Sequence, residues 1–122
     1  MAKQILVVDD SSSIRQVLSQ ALQDAAYEVL QADDGQAGLR LMDGRKINLI
    51  ISDLNMPNMD GLSFVKAAKQ LSAYRFTPVI MFTTETSESM RAAGRAAGVR
   101  AWLVKPFQPA VLLDAVAKLI AP

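Results

Sequence analysis

The sequence predicts a three-layer α/β sandwich, a doubly wound five-stranded parallel sheet in the order 2-1-3-4-5. Three observations lead there. Five short apolar runs are unbroken rather than alternating, segments of helical period separate them, and the two kinds alternate strictly. An unbroken apolar strand has both faces covered, the mark of a parallel sheet. Five strand–helix units in succession then call for right-handed crossovers that place helices on both sides.

The apolar runs fall at 5–8, 29–30, 49–51, 79–82 and 101–104. The first helix carries Ile14, Val17, Leu18, Ala21, Leu22 and Ala25, spaced to form one stripe. A weaker helix over 36–43 stops at Gly44, a suitable C-terminal cap. The third follows Asp60-Gly61 with Phe64, Val65, Ala68 and Leu71, and the fourth runs over 87–97 and ends at Gly98. The last opens with Pro109 in its first turn and carries Leu112, Leu113, Val116, Leu119 and Ile120. The fourth helix holds a local echo, Arg-Ala-Ala-Gly at 91–94 and again at 95–98.

All 122 residues are taken up by these units, so 1–122 reads as one domain with no linker. Thirteen basic against 12 acidic side chains, a net +1, supply no whole-chain attraction to nucleic acid or anionic membrane. No apolar run approaches the roughly 20 residues a bilayer span needs. The apolar stretch before Asp9 is also too short for the core of a signal peptide. The chain has no Cys, which excludes disulfides and thiolate metal sites and suits a reducing compartment. A cytoplasmic protein is expected. It has no His either, so the commonest general base is missing.

Chemistry gathers just past the strands. Asp9 and Asp10 follow the first, Asp53 the third, Thr83 and Thr84 the fourth, and Lys105-Pro106 the fifth. Each has a bland reading alone. Asp9 or Asp10 suits a turn or a cap for the Ser-rich start of the first helix, and Asp53 a turn. Thr83 suits a β-branched strand residue, and Lys105 a solvated lysine. Together they share the sheet edge where such folds bind ligands. Two carboxylates about 4 Å apart repel by about 4 kcal/mol at an effective dielectric near 20. A third adds to this, so one must protonate or a cation must neutralise them. Oxygen donors without His or Cys favour Mg²⁺, Mn²⁺ or Ca²⁺ over zinc. Lys105 suits a phosphate oxygen and the Thr83 hydroxyl can donate to another. The set makes a phosphoryl-transfer site with an Asp nucleophile.

Four blocks carry a resemblance that spans essentially the whole chain. They are Ile-Leu-Val-Val-Asp-Asp-Ser-Ser-Ser-Ile-Arg at 5–15, Ile-Ile-Ser-Asp-Leu-Asn-Met-Pro-Asn-Met-Asp-Gly at 50–61, Thr-Thr-Glu at 83–85 and Lys-Pro-Phe at 105–107. In this order they resemble the response-regulator receiver domains, with a flavodoxin-like (βα)5 fold, and among these the stand-alone chemotaxis (CheY-like) type. The resemblance implies that Asp53 accepts a phosphoryl group from a phosphohistidine on a partner histidine kinase. It implies Mg²⁺ held by Asp10, Asp53 and the backbone carbonyl of Asn55, with Asp9 acting mainly through a water. Lys105 would pair with the phosphoryl group, and the resemblance implies a cis Lys-Pro bond after it. Thr83 would swing onto a phosphoryl oxygen, helped by the backbone N–H of Thr84. Met56-Pro57 and Asp60-Gly61 would shape the intervening loop. Asn55 and Glu85 occupy variable positions beside the route of hydrolytic water, and their polarity implies a short-lived phosphoryl group.

One position departs from the family pattern. The residue three before the lysine, usually Tyr or Phe, turns inward as the threonine moves; here it is Trp102, a larger ring, which the resemblance makes a switch residue together with Thr83. Output is expected from a monomer that catalyses only its own phosphorylation and dephosphorylation. The fourth helix is expected to yield, because Gly94 costs about 1 kcal/mol in a helix interior and Ala-rich faces bury little. Arg91, Arg95 and Arg100 make the nearby surface basic. A solvated face is the plain reading; the sharper one is docking of an acidic or amphipathic segment across helix 4, strand 5 and helix 5. The family-based target is a flagellar motor switch component, with a phosphorelay intermediate or phosphate sink as alternatives.

Three rivals are weaker. A Mg²⁺-dependent aspartyl-phosphate phosphatase resembling the haloacid-dehalogenase group needs Asp-x-Asp after the first strand and a cap, where this chain has Asp-Asp-Ser and no spare residues. A flavodoxin-type FMN carrier needs backbone donors at 9–10, where two carboxylates would repel its phosphate. A degenerate scaffold would not need the complete acid, threonine and lysine set.

Overall fold

A computed structural model of the protein describes residues 2–120. Its elements run β1 (Gln4–Val8), α1 (Ser12–Asp24), β2 (Glu28–Ala32), α2 (Gly35–Leu41), β3 (Leu49–Ser52), α3 (Gly61–Gln70), β4 (Val79–Thr83), α4 (Glu88–Ala97), β5 (Val99–Val104) and α5 (Pro109–Leu119), with a 3-10 turn at Ser72–Tyr74 before β4. All five strands are parallel, in the order β2-β1-β3-β4-β5.

Burial explains the strand patterns. Every residue of β3 and β4 is buried, which produces their continuous apolar runs. The edge strand β2 leaves Glu28 and Gln31 exposed, so its sequence signal shrinks to Val29 and Leu30. Within the inner strands, residues alternate between two cores. Ile5, Val7, Leu49, Ile51, Ile80 and Phe82 pack with Leu18 and Leu22 of α1 and Leu112 and Val116 of α5. Leu6, Val8, Ile50 and Met81 pack with Phe64, Val65 and Ala68 of α3, and Met90 and Trp102 lean on the same cluster. Each of the larger buried side chains contributes about 1.5–3 kcal/mol.

Helix starts are capped as their sequences indicate. The side chains of Ser11, Asp34, Asp60 and Ser87 each accept the N–H three residues on. Gly98 ends α4 in the left-handed region at φ 104.

Several expectations are corrected. The second helix begins at Gly35 and ends at Leu41, short of Asp43 and Gly44. Met42 is drawn into the core, and the N–H of Gly44 donates to the Tyr74 hydroxyl at 2.8 Å, a tertiary bond that draws the chain out of the helix. The α1 stripe is narrower than its spacing, with Val17 48% exposed and Ala25 already at the C-cap. Val17 borders a surface groove between α1 and α5, with Gln20, Pro109 and Leu113. Leu71 lies just past α3 and is exposed. Strand β5 starts two residues before the apolar run, because a bulge between Val79↔Val99 and Ile80↔Ala101 leaves Arg100 as the extra residue.

Truncating Phe64, fully buried beneath α3, is expected to cost about 3–5 kcal/mol as Phe64→Ala. Urea unfolding should show a lower midpoint with an unchanged slope.

Candidate functional site

Parallel pairing brings the ends of β1, β3 and β4 to one edge, with Val8 beside Ser52 and Ser52 beside Met81. The next residues are Asp9 and Asp53, both buried. Asp9 does two jobs. Its Oδ1 accepts the Ser11 N–H at 2.9 Å, starting the turn into α1, while its Oδ2 accepts from Lys105 Nζ at 3.1 Å. The cap of α1 is Ser11, which leaves the exposed Asp10 without a capping role. Arg15 Nη1 donates to the Asp9 carbonyl at 2.6 Å and steadies the loop.

Asp53 is held likewise. Its Oδ1 accepts the Leu54 N–H at 2.7 Å, and its Oδ2 accepts from Lys105 Nζ at 3.1 Å. The Ser52 hydroxyl donates to the Asp53 carbonyl at 2.8 Å. The chain then turns so tightly that a Cβ on Gly61 would stand 2.2 Å from the Asp53 carbonyl oxygen. Only glycine admits that approach, and the Gly61 N–H donates to the Leu54 carbonyl at 2.7 Å.

Carboxylate oxygens of Asp9, Asp10 and Asp53 lie within 4.8 Å of one another. Burial pushes the Asp9 carboxyl above its ordinary value, against the Ser11 N–H and Lys105, and the Asp53 charge raises it further. Burial opposes the charge on Lys105, yet its bonds to Asp53 and Asp9 outweigh that and raise its pKa. The ammonium also stands 5.5 Å from the centre of the Phe82 ring. One lysine thus screens a cluster that stays net negative. An all-oxygen set with one exposed carboxylate fits a hard divalent cation such as Mg²⁺, which takes one or two carboxylates and keeps waters.

The remaining candidates are placed as follows. Thr83 is fully buried, and its Oγ1 accepts the Glu85 N–H at 3.3 Å. Its carbonyl accepts the Lys105 N–H at 2.9 Å, which ties β4 to the lysine loop, and the Lys105-Pro106 peptide is cis. Thr84 and Asn55 are exposed, one and two residues beyond Thr83 and Asp53. Trp102 is half-buried, with its Nε1 donating to the Glu85 carbonyl at 2.8 Å.

Sequence reasoning passed over Ser52, Phe82 and the tight approach at Gly61, and it read Gly94 as a weak point in α4. Asp60-Gly61 was a visible turn signal, but the crowding against Asp53 arises only in three dimensions. Gly94 is buried under the indole of Trp102, where a Cβ would come within 2.8 Å of Cζ3. It is a packing position.

Comparison with known proteins agrees with this geometry. Residues 5–117 match the family model of the response regulator receiver domain. The chain is 39% identical over 112 residues to the chemotaxis protein CheY1 of Helicobacter pylori, covering 90% of each. It is 36% identical to part of the CAI-1 autoinducer sensor kinase/phosphatase CqsS of Vibrio cholerae, covering 94% of this chain and 17% of that one. The solved structure of the Vibrio cholerae chemotaxis protein CheY4 superposes with a TM-score of 0.95 at 48% identity, covering 98% of this chain and all of that one. A doubly wound sheet with this acid–lysine edge defines a receiver domain. The chain belongs to the response regulator receiver domain family and is CheY-like within it. Among the described residues, no helix is long and apolar enough to cross a membrane.

Crowded like charges cost stability when no cation is present. Asp9→Asn keeps the acceptor for Ser11 and removes one charge, so it should stabilise the metal-free protein by about 1–2 kcal/mol. The raised pKa of Asp9 gives the sign with pH. The folded state holds the proton where the unfolded state has lost it, so stability falls as pH rises from near 3.8 through the folded pKa. Denaturant titrations in chelator should show this fall in the unmodified protein and a smaller one in Asp9→Asn.

Proposed function

We propose that the chain is a phospho-accepting response regulator of a chemotaxis-type two-component system, with Asp53 taking a phosphoryl group from a histidine kinase. The observation that carries this is the bridge from Lys105 Nζ to Asp53 and Asp9, both at 3.1 Å, with the buried Thr83 at the end of the neighbouring strand. An Asp53 carboxylate oxygen attacks phosphorus, the N–P bond of the phosphohistidine breaks, and the departing imidazole takes up a proton. Lys105 then exchanges a carboxylate oxygen for a phosphoryl oxygen, and the Thr83 hydroxyl turns from accepting the Glu85 N–H to donating to another. Asp9, Asp10, Asp53 and the Asn55 carbonyl would hold Mg²⁺, which supplies positive charge against the transferring phosphoryl oxygens. The chain catalyses only its own phosphorylation and dephosphorylation.

Access is asymmetric. Beside Lys105 lies an apolar groove of about 250 Å³ lined by Ile14, Val17, Phe82, Pro106 and Phe107, suited to the phosphodonor's own apolar surface. On the other side, Arg91, Arg95 and Arg100 border a hollow beside Trp102, and the buried Arg91 Nε has no partner there. Arg95 pairs with Glu88 at 2.6 Å, an exposed pair of little strength. This basic surface of α4 and β5 suits an acidic segment of a downstream target, such as a flagellar motor switch component.

Intact-mass measurement with acetyl phosphate and Mg²⁺ should show one phosphoryl group on the unmodified protein and none on Asp53→Asn. Uptake by Asp53→Asn would overturn the assignment. Reversing charge with Arg91→Glu and Arg95→Glu together should weaken target binding by about tenfold or more, most of it as slower association, and leave phosphoryl uptake unchanged.

A further inference from the structure

The two ends of the sheet carry opposite charge. Asp9, Asp10 and Asp53 lie past the C-terminal ends of β1 and β3, whereas the starts of β3, β4 and β5 are rich in cations. Arg45 and Lys46 precede β3, Arg75 precedes β4, and Arg100 is the bulged residue near the start of β5; all four are exposed. Chain contacts gather them at one end. The Tyr74 hydroxyl donates to the Arg45 carbonyl at 2.7 Å, and Lys69 Nζ donates to the Thr77 carbonyl. A Cβ on Gly98 would stand 3.3 Å from Lys69 Cε, so the lysine stem reaches the start of β5. Burial lowers the Lys69 pKa and the Arg100 charge lowers it further, as expected of close neighbours.

Little opposes this charge locally. Arg45 pairs with Asp43 at 3.0 Å, but among the described residues Lys46, Arg75 and Arg100 form no ion pair. Asp24 and Glu28 also lie at this end, at the close of α1 and the start of β2, on the opposite flank of the sheet. The near-neutral total of the chain therefore conceals a separation of charge along the strands. Next to Arg75 stands Phe76, 87% exposed, and Leu71 at the start of the same loop is exposed as well. A ring that projects this far lines no groove. It needs a medium it can enter.

We propose that this end of the sheet is a docking face for an anionic phospholipid bilayer: Lys46, Arg75 and Arg100 meet lipid phosphates while the Phe76 ring enters the headgroup layer. Each Lys or Arg held near an anionic leaflet strengthens binding about fivefold, and an aromatic beside basic residues is a usual interfacial anchor. A protein partner would instead offer a fixed pocket to an anchoring ring. Here the charges spread over three strand starts around a projecting side chain, which suits a soft, extended anionic surface. Charge separation also sets the orientation. The five residues of β4 span about 17 Å, roughly two Debye lengths at physiological salt. Asp9, Asp10 and Asp53 therefore face away from the lipid.

Co-sedimentation with vesicles tests this. The unmodified protein should bind equimolar phosphatidylcholine–phosphatidylglycerol vesicles and not phosphatidylcholine alone, and should let go as salt rises. Absence of binding to the mixed vesicles at low salt would overturn the proposal. Arg75→Gln should weaken binding about fivefold, and Phe76→Ser, which leaves the charge untouched, about tenfold. Lys66→Gln removes the same charge from the exposed flank of α3 beside Asp60, and should stay within about twofold of the unmodified protein. Equal losses from Lys66→Gln and Arg75→Gln would mean that total charge and not this face is responsible, which sinks the assignment. Unchanged binding by Phe76→Ser would sink it too. All three side chains are exposed, so the variants should keep the urea midpoint of the unmodified protein. Tighter binding of a single-stranded oligonucleotide than of the vesicles, itself weakened by Phe76→Ser, would give the face to nucleic acid and count against a bilayer.

Discussion

Like charge held out of water at the sheet edge is the constraint on which the site depends. Asp9 and Asp53 are buried at the ends of neighbouring strands, Asp10 stands beside them, and one ammonium from the loop after β5 spans the two buried acids. The acids would repel by several kcal/mol at such distances. The fold tolerates them because Leu54 and Ser11 aim backbone N–H groups at the buried carboxylates. That balance leaves the cluster responsive to any added charge, whether a cation or a phosphoryl group.

Around this cluster the protein is rigid where position matters. Gly61 lets the chain fold back onto the Asp53 carbonyl, and Ser52 steadies the same carbonyl from the other side. Lys105 is aimed by a backbone bond to Thr83 and flanked by the Phe82 ring. Beyond it, the buried Thr83 hydroxyl accepts the Glu85 N–H at the start of the turn into α4. Gly94 belongs to that arrangement as the recess for Trp102, so α4 is shaped to its neighbour.

The strand ends and their acids were legible because an inner parallel strand must be apolar throughout, and the first polar residue after it marks the edge. Asp9, Asp53 and Lys105 stood out for that reason. Helix starts were legible through Asp60 and Ser87, which carry local hydrogen-bonding information, whereas the cap of α1 is Ser11 and not Asp9 or Asp10. What escaped depended on neighbours distant in the chain. The early end of α2 follows from Met42 entering the core and from the hydroxyl of Tyr74, about 30 residues on, which takes the Gly44 N–H. The exposure of Val17 follows from the open groove between α1 and α5 that it borders.

Composition, the alternation of apolar runs with helical periods, and the four motif blocks determined the layered fold and the residues at its edge, since those signals are local and periodic. Tertiary structure alone decided which oxygen of each acid meets the lysine, that Asp9 both opens a turn and carries buried charge, and that a glycine in α4 makes room for an indole from β5. Such facts depend on distances between atoms far apart in the chain, and spacing along a sequence does not contain them.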